Sequence, residues 1–296
     1  MRSCRFCCYF NFLLYIFCLS ILSACGQSEL QNTSPVTSKL VESESEISTS
    51  AIESVGVIAA VPDIVGEISR SSIDTNEQEA DGNSINASIS DDGLRVVFES
   101  NSSSFGIDAN TTVDIFLRDR SGDGTTSLIS VNTLGTGGGS ADSTNAEISG
   151  DGNFVVFESL SNNLTATVGS NKDIFLRDLA GNTTSLVNFL DTGPITGNDI
   201  SANASISKNG RFIAFESLAT NLDGATGGFN NIYIRDTQTT DALSLISKQS
   251  NGTLASNDSN SASISADGRY VSFESAFNFD SIDDVNTVND IYRAHN

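Results

Sequence analysis

Two stretches of the chain set hard oxygen donors at matching intervals: Asp108-x-Asn110-x-x-x-Asp114 and Asp284-x-Asn286-x-x-x-Asp290. Calcium takes about six to eight oxygens from carboxylates, amide carbonyls and water, so each stretch offers part of a calcium site, without the bidentate Glu of an EF-hand. The equivalent stretches between them begin with Thr167 and Ala225. Turn formation is therefore the leading reading of these residues, and calcium the alternative. A second set of acids, Glu99, Glu158, Glu216 and Glu274, recurs at a fixed step. A carboxylate ring suggests glycoside chemistry, yet a catalytic pair needs two unlike environments. Here the same acid returns with Arg118, Arg177 and Arg235, so cross-strand ion pairs are the expectation. The single histidine is His295, and the five cysteines all fall between Cys4 and Cys25. Ser-His-Asp, Cys-His and His- or Cys-ligated metal sites thus lack material. No catalytic residue is assigned, and no cofactor besides calcium is in prospect.

Cys25 points to other chemistry. Arg2 and Arg5 precede an apolar run from Phe6 to Leu22, the pattern of an export signal. The run ends in Leu22-Ser-Ala-Cys25, which resembles the bacterial lipobox, whose cysteine becomes the lipidated first residue. An uncleaved anchor and an ordinary secretory signal with an incidental Cys25 are the alternatives; the apolar run is marginal for the roughly 20 residues of a spanning helix. Gly26 stands where an Asp would favour inner-membrane retention in enteric bacteria, which leans the expectation toward the outer membrane. Residues 1–24 read as a lipoprotein signal peptide and 25–62 as a flexible tether rich in Ser, Thr and Glu. In a minor sub-reading of the tether, Val57-Ile-Ala-Ala-Val61 docks on the folded domain. With Arg2 and Arg5 removed and no acid lost, the formal charge moves from -22 to -24. That charge makes nucleic acid an improbable partner and leaves the N-terminal lipid as the membrane attachment.

The elements that must carry these residues are set by a repeat. Asn86-ASISDDGLRVVFES, Asn145-AEISGDGNFVVFES, Asn203-ASISKNGRFIAFES and Ser261-ASISADGRYVSFES follow one another at steps of 58 or 59 residues. Asp114-IFLRD, Asp173-IFLRD, Asn231-IYIRD and Asp290-IYRA keep the same step, and Thr125-TSLISV, Thr183-TSLVNF and Ala242-LSLISK close the first three units. Each of those units holds four short strand candidates. The Asp-Gly or Asn-Gly pair after the first strand suits a two-residue hairpin. The second strand is apolar on both faces, as in a sheet covered on both sides. Four antiparallel strands per unit, stacked radially, is the β-propeller plan.

The Ser-x-Asp-Gly-Arg-x-Val-x-Phe motif followed by Asp-Ile-Tyr or Asp-Ile-Phe-x-Arg-Asp resembles the WD40-like repeats of TolB-type periplasmic propellers, over roughly residues 64–296. The resemblance implies an all-β domain over 63–296 with four four-stranded blades, although TolB itself is known with six. The last unit stops after its third strand, and Ile64-VGEISRSS reads as the missing fourth, so the N-terminal strand is expected to close the ring. An open arc completed by a second copy is the alternative. In the last unit Ala294 and His295 replace Arg and Asp, so a weaker terminal blade is expected. The long loops, Asn101 to Val113 and Thr133 to Thr144 among them, should share one face, where a partner would bind. The leading functional reading is a monomeric, envelope-anchored binding or scaffold module, and the resemblance implies envelope proteins or cell-wall components as its partners. The rivals are a surface polysaccharide hydrolase or lyase using Asp108, Asp114, Asp284 and Asp290, and a calcium-stabilised structural domain.

Overall fold

The computed structural model describes Gly66 and residues 68–296, apart from 107, 109, 123, 167–168, 170, 194, 224–227, 240–242 and 280–285. The proposed signal peptide, Cys25, the tether and Asp284 lie outside the described residues. Among the described residues every regular element is a strand, and no helix is long and apolar enough to cross a membrane. Blade one holds β1 (Ser84–Ile89), β2 (Arg95–Ser100), β3 (Asp114–Asp119) and β4 (Thr125–Leu128). Blade two holds β5 (Ser143–Ile148), β6 (Phe154–Ser159), β7 (Asp173–Asp178) and β8 (Thr183–Leu186), and is followed by a small hairpin of β9 (Phe189–Leu190) and β10 (Ile195–Thr196). Blade three holds β11 (Ser201–Ile206), β12 (Phe212–Ser217), β13 (Asn231–Asp236) and β14 (Leu243–Leu245), and blade four β15 (Ser259–Ile264), β16 (Tyr270–Ser275) and β17 (Asp290–His295). Neighbours pair antiparallel in chain order, and successive blades pack face to face, the architecture of a β-propeller.

The turn between the first two strands is longer than a two-residue hairpin. In blade one it runs from Ser90 to Leu94. Gly93 supplies the positive φ of 72°, while Asp92 works through its carboxylate, which accepts from Ser90 Oγ at 2.6 Å and Leu94 N at 2.9 Å. The same bonds recur at Ser149–Asp151, Ser207–Asn209 and Ser265–Asp267. A short polar side chain that satisfies nearby backbone donors makes such a turn self-contained.

The first strand carries a bulge that its alternating sequence conceals. Ile85 pairs with Glu99 and Ser88 with Val97, so Asn86 and Ala87 together face Phe98 alone. Asn86, Asn145, Asn203 and Ser261 occupy this point in all four blades with φ of 49°, 51°, 52° and 57°. Asn is among the few residues that tolerate this left-handed conformation. The bulge re-aims the backbone. In blades two, three and four the N–H of the bulged residue leaves its own sheet and donates to the preceding blade's glutamate: Asn145 N to Glu99 at 2.8 Å, Asn203 N to Glu158 at 2.6 Å and Ser261 N to Glu216 at 2.6 Å.

These bonds correct the expected Glu–Arg ion pairs. Glu99 pairs with Ile115, whereas Arg118 pairs with Val96. Side chains alternate across a strand, so Glu99 faces the following blade with Val97 and Ile115, and Arg118 faces backward with Phe98 and Phe116. Arg95–Asp119 at 3.0 Å and Arg211–Asp236 at 2.7 Å are ion pairs at the opposite end of the strands from the glutamates, and the glutamate that does meet a cation, Glu158, meets Lys172 at 2.8 Å and not the third-strand arginine.

Blade four has three strands among the described residues. Of the strand expected at 64–72, residues 64, 65 and 67 lie outside the description and Ile68 is 98% exposed. From Arg70 onward the segment lies against blade one, where Arg120 donates to Arg70 O and Thr126 Oγ1 donates to Ile73 O. Ile89 is 60% exposed where Ile148 and Ile206 are buried, and Ile291 is 77% exposed where Ile115, Ile174 and Ile232 are buried. The backward face of blade one and the forward face of blade four thus have no blade against them among the described residues.

Glu158 is fully buried and accepts from Asn145 Nδ2, Lys172 Nζ and Asn203 N. Glu158→Ala strands those donors and is expected to cost about 3–5 kcal/mol in denaturant unfolding. Among the described residues Glu274 meets Ser261 Oγ alone, so Glu274→Ala should stay within about 0.5 kcal/mol of the parent. Equal costs at the two positions would refute the inter-blade role.

Candidate functional site

The two classes of long loop do meet on one face. Val113 N donates to Asp142 Oδ1 at 2.9 Å, Thr133 N to Asn163 O at 2.8 Å and Ser140 Oγ to Asn162 Oδ1 at 2.9 Å. Between blades two and three, Asn198 and Thr220 repeat the contact at 2.9 Å. The Asn- and Ser-rich composition thus serves to lace loops to each other.

Asp108, Asn110 and Asp114 converge beneath this face, with Asp108 2% and Asp114 0% exposed. Asp114 Oδ1 accepts from Ser130 Oγ at 2.6 Å, and Thr112 Oγ1 donates to Asp114 Oδ2 at 3.1 Å. Asn110 Oδ1 accepts from Thr112 N. A Cβ on Gly138 would stand 2.6 Å from Asp114 Oδ2, so only glycine lets the loop close over the carboxylate. Burial, and then the charge and hydrogen bond of Asp108, push Asp114 up to about 6, against the pull of Ser130 and Asn110. The corresponding Asp173 is raised by burial too, with Asn188 Nδ2 on one oxygen and Gly169 N on the other. The third-strand acid therefore ties its strand to the chain leaving the fourth, as Asn231 does through Ser247. Among the described residues no three His, Cys, Asp or Glu side chains gather as a metal cluster. Asp108 and Asp114 are thus buried within a turn whose carboxylate oxygens accept hydrogen bonds from their own loops, an arrangement that suits the turn reading. Asn286 lies in the described end of its loop, where its Oδ1 accepts from Val288 N at 2.8 Å, and Asp290 opens β17.

An open site lies elsewhere. A cleft of about 840 Å³ runs between the outer strands of blades one and two, from Thr126 and Leu128 on β4 to Asn182 and Thr184 at β8, and reaches Phe105 and Leu164 in the loops. Hydroxyls and amides line it with a few apolar side chains, and among the described residues its one charged lining group is Arg177. In a chain with 37 acidic residues, a cleft with no carboxylate among its described lining residues is a local reversal of charge. Arg177 is 8% exposed, donates to Thr184 Oγ1 at 3.1 Å and to Asn182 Oδ1, and loses basicity through burial. Sequence reading grouped Arg177 with a glutamate on the other face of its sheet; the signal it lacked was the strand register.

No family model and no curated protein matches the chain. Solved structures do. TolB from Acinetobacter baumannii aligns at 16% identity over 72% of this chain and 41% of its own, with a TM-score of 0.40. A protein described as putative TolB from Agrobacterium tumefaciens aligns at 15% identity over 72% and 58%, with a TM-score of 0.43. The β-propeller domain of the Trilobed protease from Pyrococcus furiosus, described as having an open velcro topology, aligns at 11% identity over 73% and 55%, with a TM-score of 0.42. The chain spans about four- to six-tenths of the length of these structures.

The folded chain holds the Asp114 proton more tightly than the unfolded chain, whose ordinary value is 3.8. This carboxyl therefore favours the fold at acid pH, and that advantage is lost as pH rises from about 4 through about 6. Asp108→Asn removes the facing charge. Its melting temperature should exceed the parent's at about pH 7.5, with the gap closing toward about pH 4; parallel curves would dismiss the influence of Asp108 on Asp114. The same melts run with calcium and with chelator should superimpose, and a calcium-dependent rise would restore the calcium reading.

Proposed function

We propose that this chain is an envelope-anchored interaction module. It is exported, lipidated at Cys25, carried on the tether of residues 25–62, and binds an envelope protein or cell-wall component through its propeller. The observation that carries the binding role is the inter-blade cleft, lined among the described residues by hydroxyls, amides and apolar side chains with one buried cation and no acid. Clefts of this kind, with few convergent polar groups on a rigid scaffold, are where ligands bind. The anchor rests on the sequence Leu22-Ser-Ala-Cys25 after its apolar run. A lipid supplies the attachment that a strongly acidic domain cannot obtain from an anionic membrane surface.

Metabolic labelling with a radioactive fatty acid is expected to mark the chain and to leave Cys25→Ser unmarked; an equally labelled variant would remove the anchor. Affinity capture from detergent-solubilised envelopes should enrich a partner over a control chain lacking residues 63–296. Recovery of the same proteins with both would count against the interaction role.

A further inference from the structure

The three third-strand arginines all look back toward the preceding element, yet their surroundings differ. Arg118 is met by the segment before blade one. Its guanidinium donates to Asp74 O at 3.1 Å and to Glu77 Oε1 at 2.6 Å. Arg235 is met by the segment leaving blade two. It donates to Val187 O at 2.9 Å, to Phe189 O and to the Asp191 carboxylate, and lies 4.1 Å above the centre of the Phe189 ring. In both places a stretch of chain brings at least one backbone carbonyl and one acid to a guanidinium that is 4% exposed.

Arg177 occupies the same position in blade two and among the described residues has neither. Ile129 N donates to Ile115 O as Val187 N does to Ile174 O. Counting on from these equivalent residues, Thr133 stands where Asp191 stands. Thr133 turns instead to Asn163, with its N–H on Asn163 O at 2.8 Å. The guanidinium is left with two neutral acceptors from its own blade, the Thr184 hydroxyl and the Asn182 amide oxygen, at the mouth of the 840 Å³ cleft. A buried guanidinium calls for a carboxylate, and a neutral amide replaces one poorly.

We infer that the cleft takes a short, extended, acidic peptide segment of a partner protein, laid against blade two as Phe189–Asp191 is laid against blade three. An apolar side chain enters among Phe105, Leu128 and Leu164, and a carboxylate two residues later displaces Asn182 from Arg177. The inference rests on the interaction role proposed above and names the chemistry of the partner.

The chain provides its own probe. A fluorescently labelled peptide of residues 187–193, Val-Asn-Phe-Leu-Asp-Thr-Gly, is titrated by anisotropy against the full chain in detergent, beside the same peptide with Asn for Asp. The acidic peptide is expected to saturate with a Kd on the order of 100 µM or below, and the Asn peptide to bind at least about tenfold more weakly. Arg177→Gln should lose the preference for Asp. Asn182→Asp supplies the carboxylate internally, so it should weaken the acidic peptide about tenfold while raising the melting temperature, which keeps the test readable if Arg177→Gln fails to fold. No saturation by about 1 mM, or equal affinity for the two peptides, overturns the inference. Envelope capture that enriches a partner equally with parent and Arg177→Gln overturns the cleft assignment while leaving the interaction role intact.

Discussion

The fold hangs on a carboxylate passed from one blade to the next. Glu99, Glu158 and Glu216 are at most 4% exposed, and each accepts the N–H of a bulged residue in the following blade. A buried anion without donors costs several kcal/mol, and a bulge leaves a backbone N–H without a partner inside its own sheet. Each defect answers the other only when adjacent blades sit in one register. Asn at the bulge adds a second bond, since the Nδ2 of Asn86, Asn145 and Asn203 donates to the glutamate of its own blade. Phe154 over Gly210 and Phe212 over Gly268 then pack at the other end of the same interfaces, where a Cβ on either glycine would stand 2.1 Å from the ring. Polar registry at one end and close apolar contact at the other leave the sheets little freedom to slide.

Strand count, order and spacing were legible in the sequence because the repeat states them four times, and because each second strand is apolar on both faces. The bulge was not. Asn-Ala-Ser-Ile-Ser alternates as a regular strand does, and the positive φ of its Asn shows only once the partner strand is in place. The Glu–Arg pairing failed for a related reason: residues that keep a common repeat step seem to belong together, but Glu99 and Arg118 lie on opposite faces by the alternation of β2 and β3. Asp108 and Asp114 were recognised as a pair by spacing. Their burial beneath Gly138, which makes them a tie within the loop face, is a matter of which loop folds over them. The cleft at Arg177 arises from a difference between units, Thr133 for Asp191, and a reading that looks for what repeats passes over the position that does not.

The forward-facing acid and the backward-facing base divide the labour within each blade. Glutamate sits where two sheets are already in contact, and all its partners belong to the chain. Arginine sits at the outer rim, where the partner is a loop whose length and sequence vary from unit to unit. Rim positions of this kind tolerate change because only a loop must adapt, which is how a uniform scaffold comes to carry one site unlike the others.

Each blade thus carries both halves of its interface, an acceptor in its second strand and a bulge in its first. A genetic duplication or deletion of one 58- or 59-residue step therefore leaves every internal junction of the same kind as before, with no compensating substitution elsewhere. Stability in such an array grows by near-neighbour increments. The number of blades is then an evolutionary variable that can drift separately from the rules holding blades together, and lineages descended from one ancestral unit can differ in ring size while remaining alike in every seam.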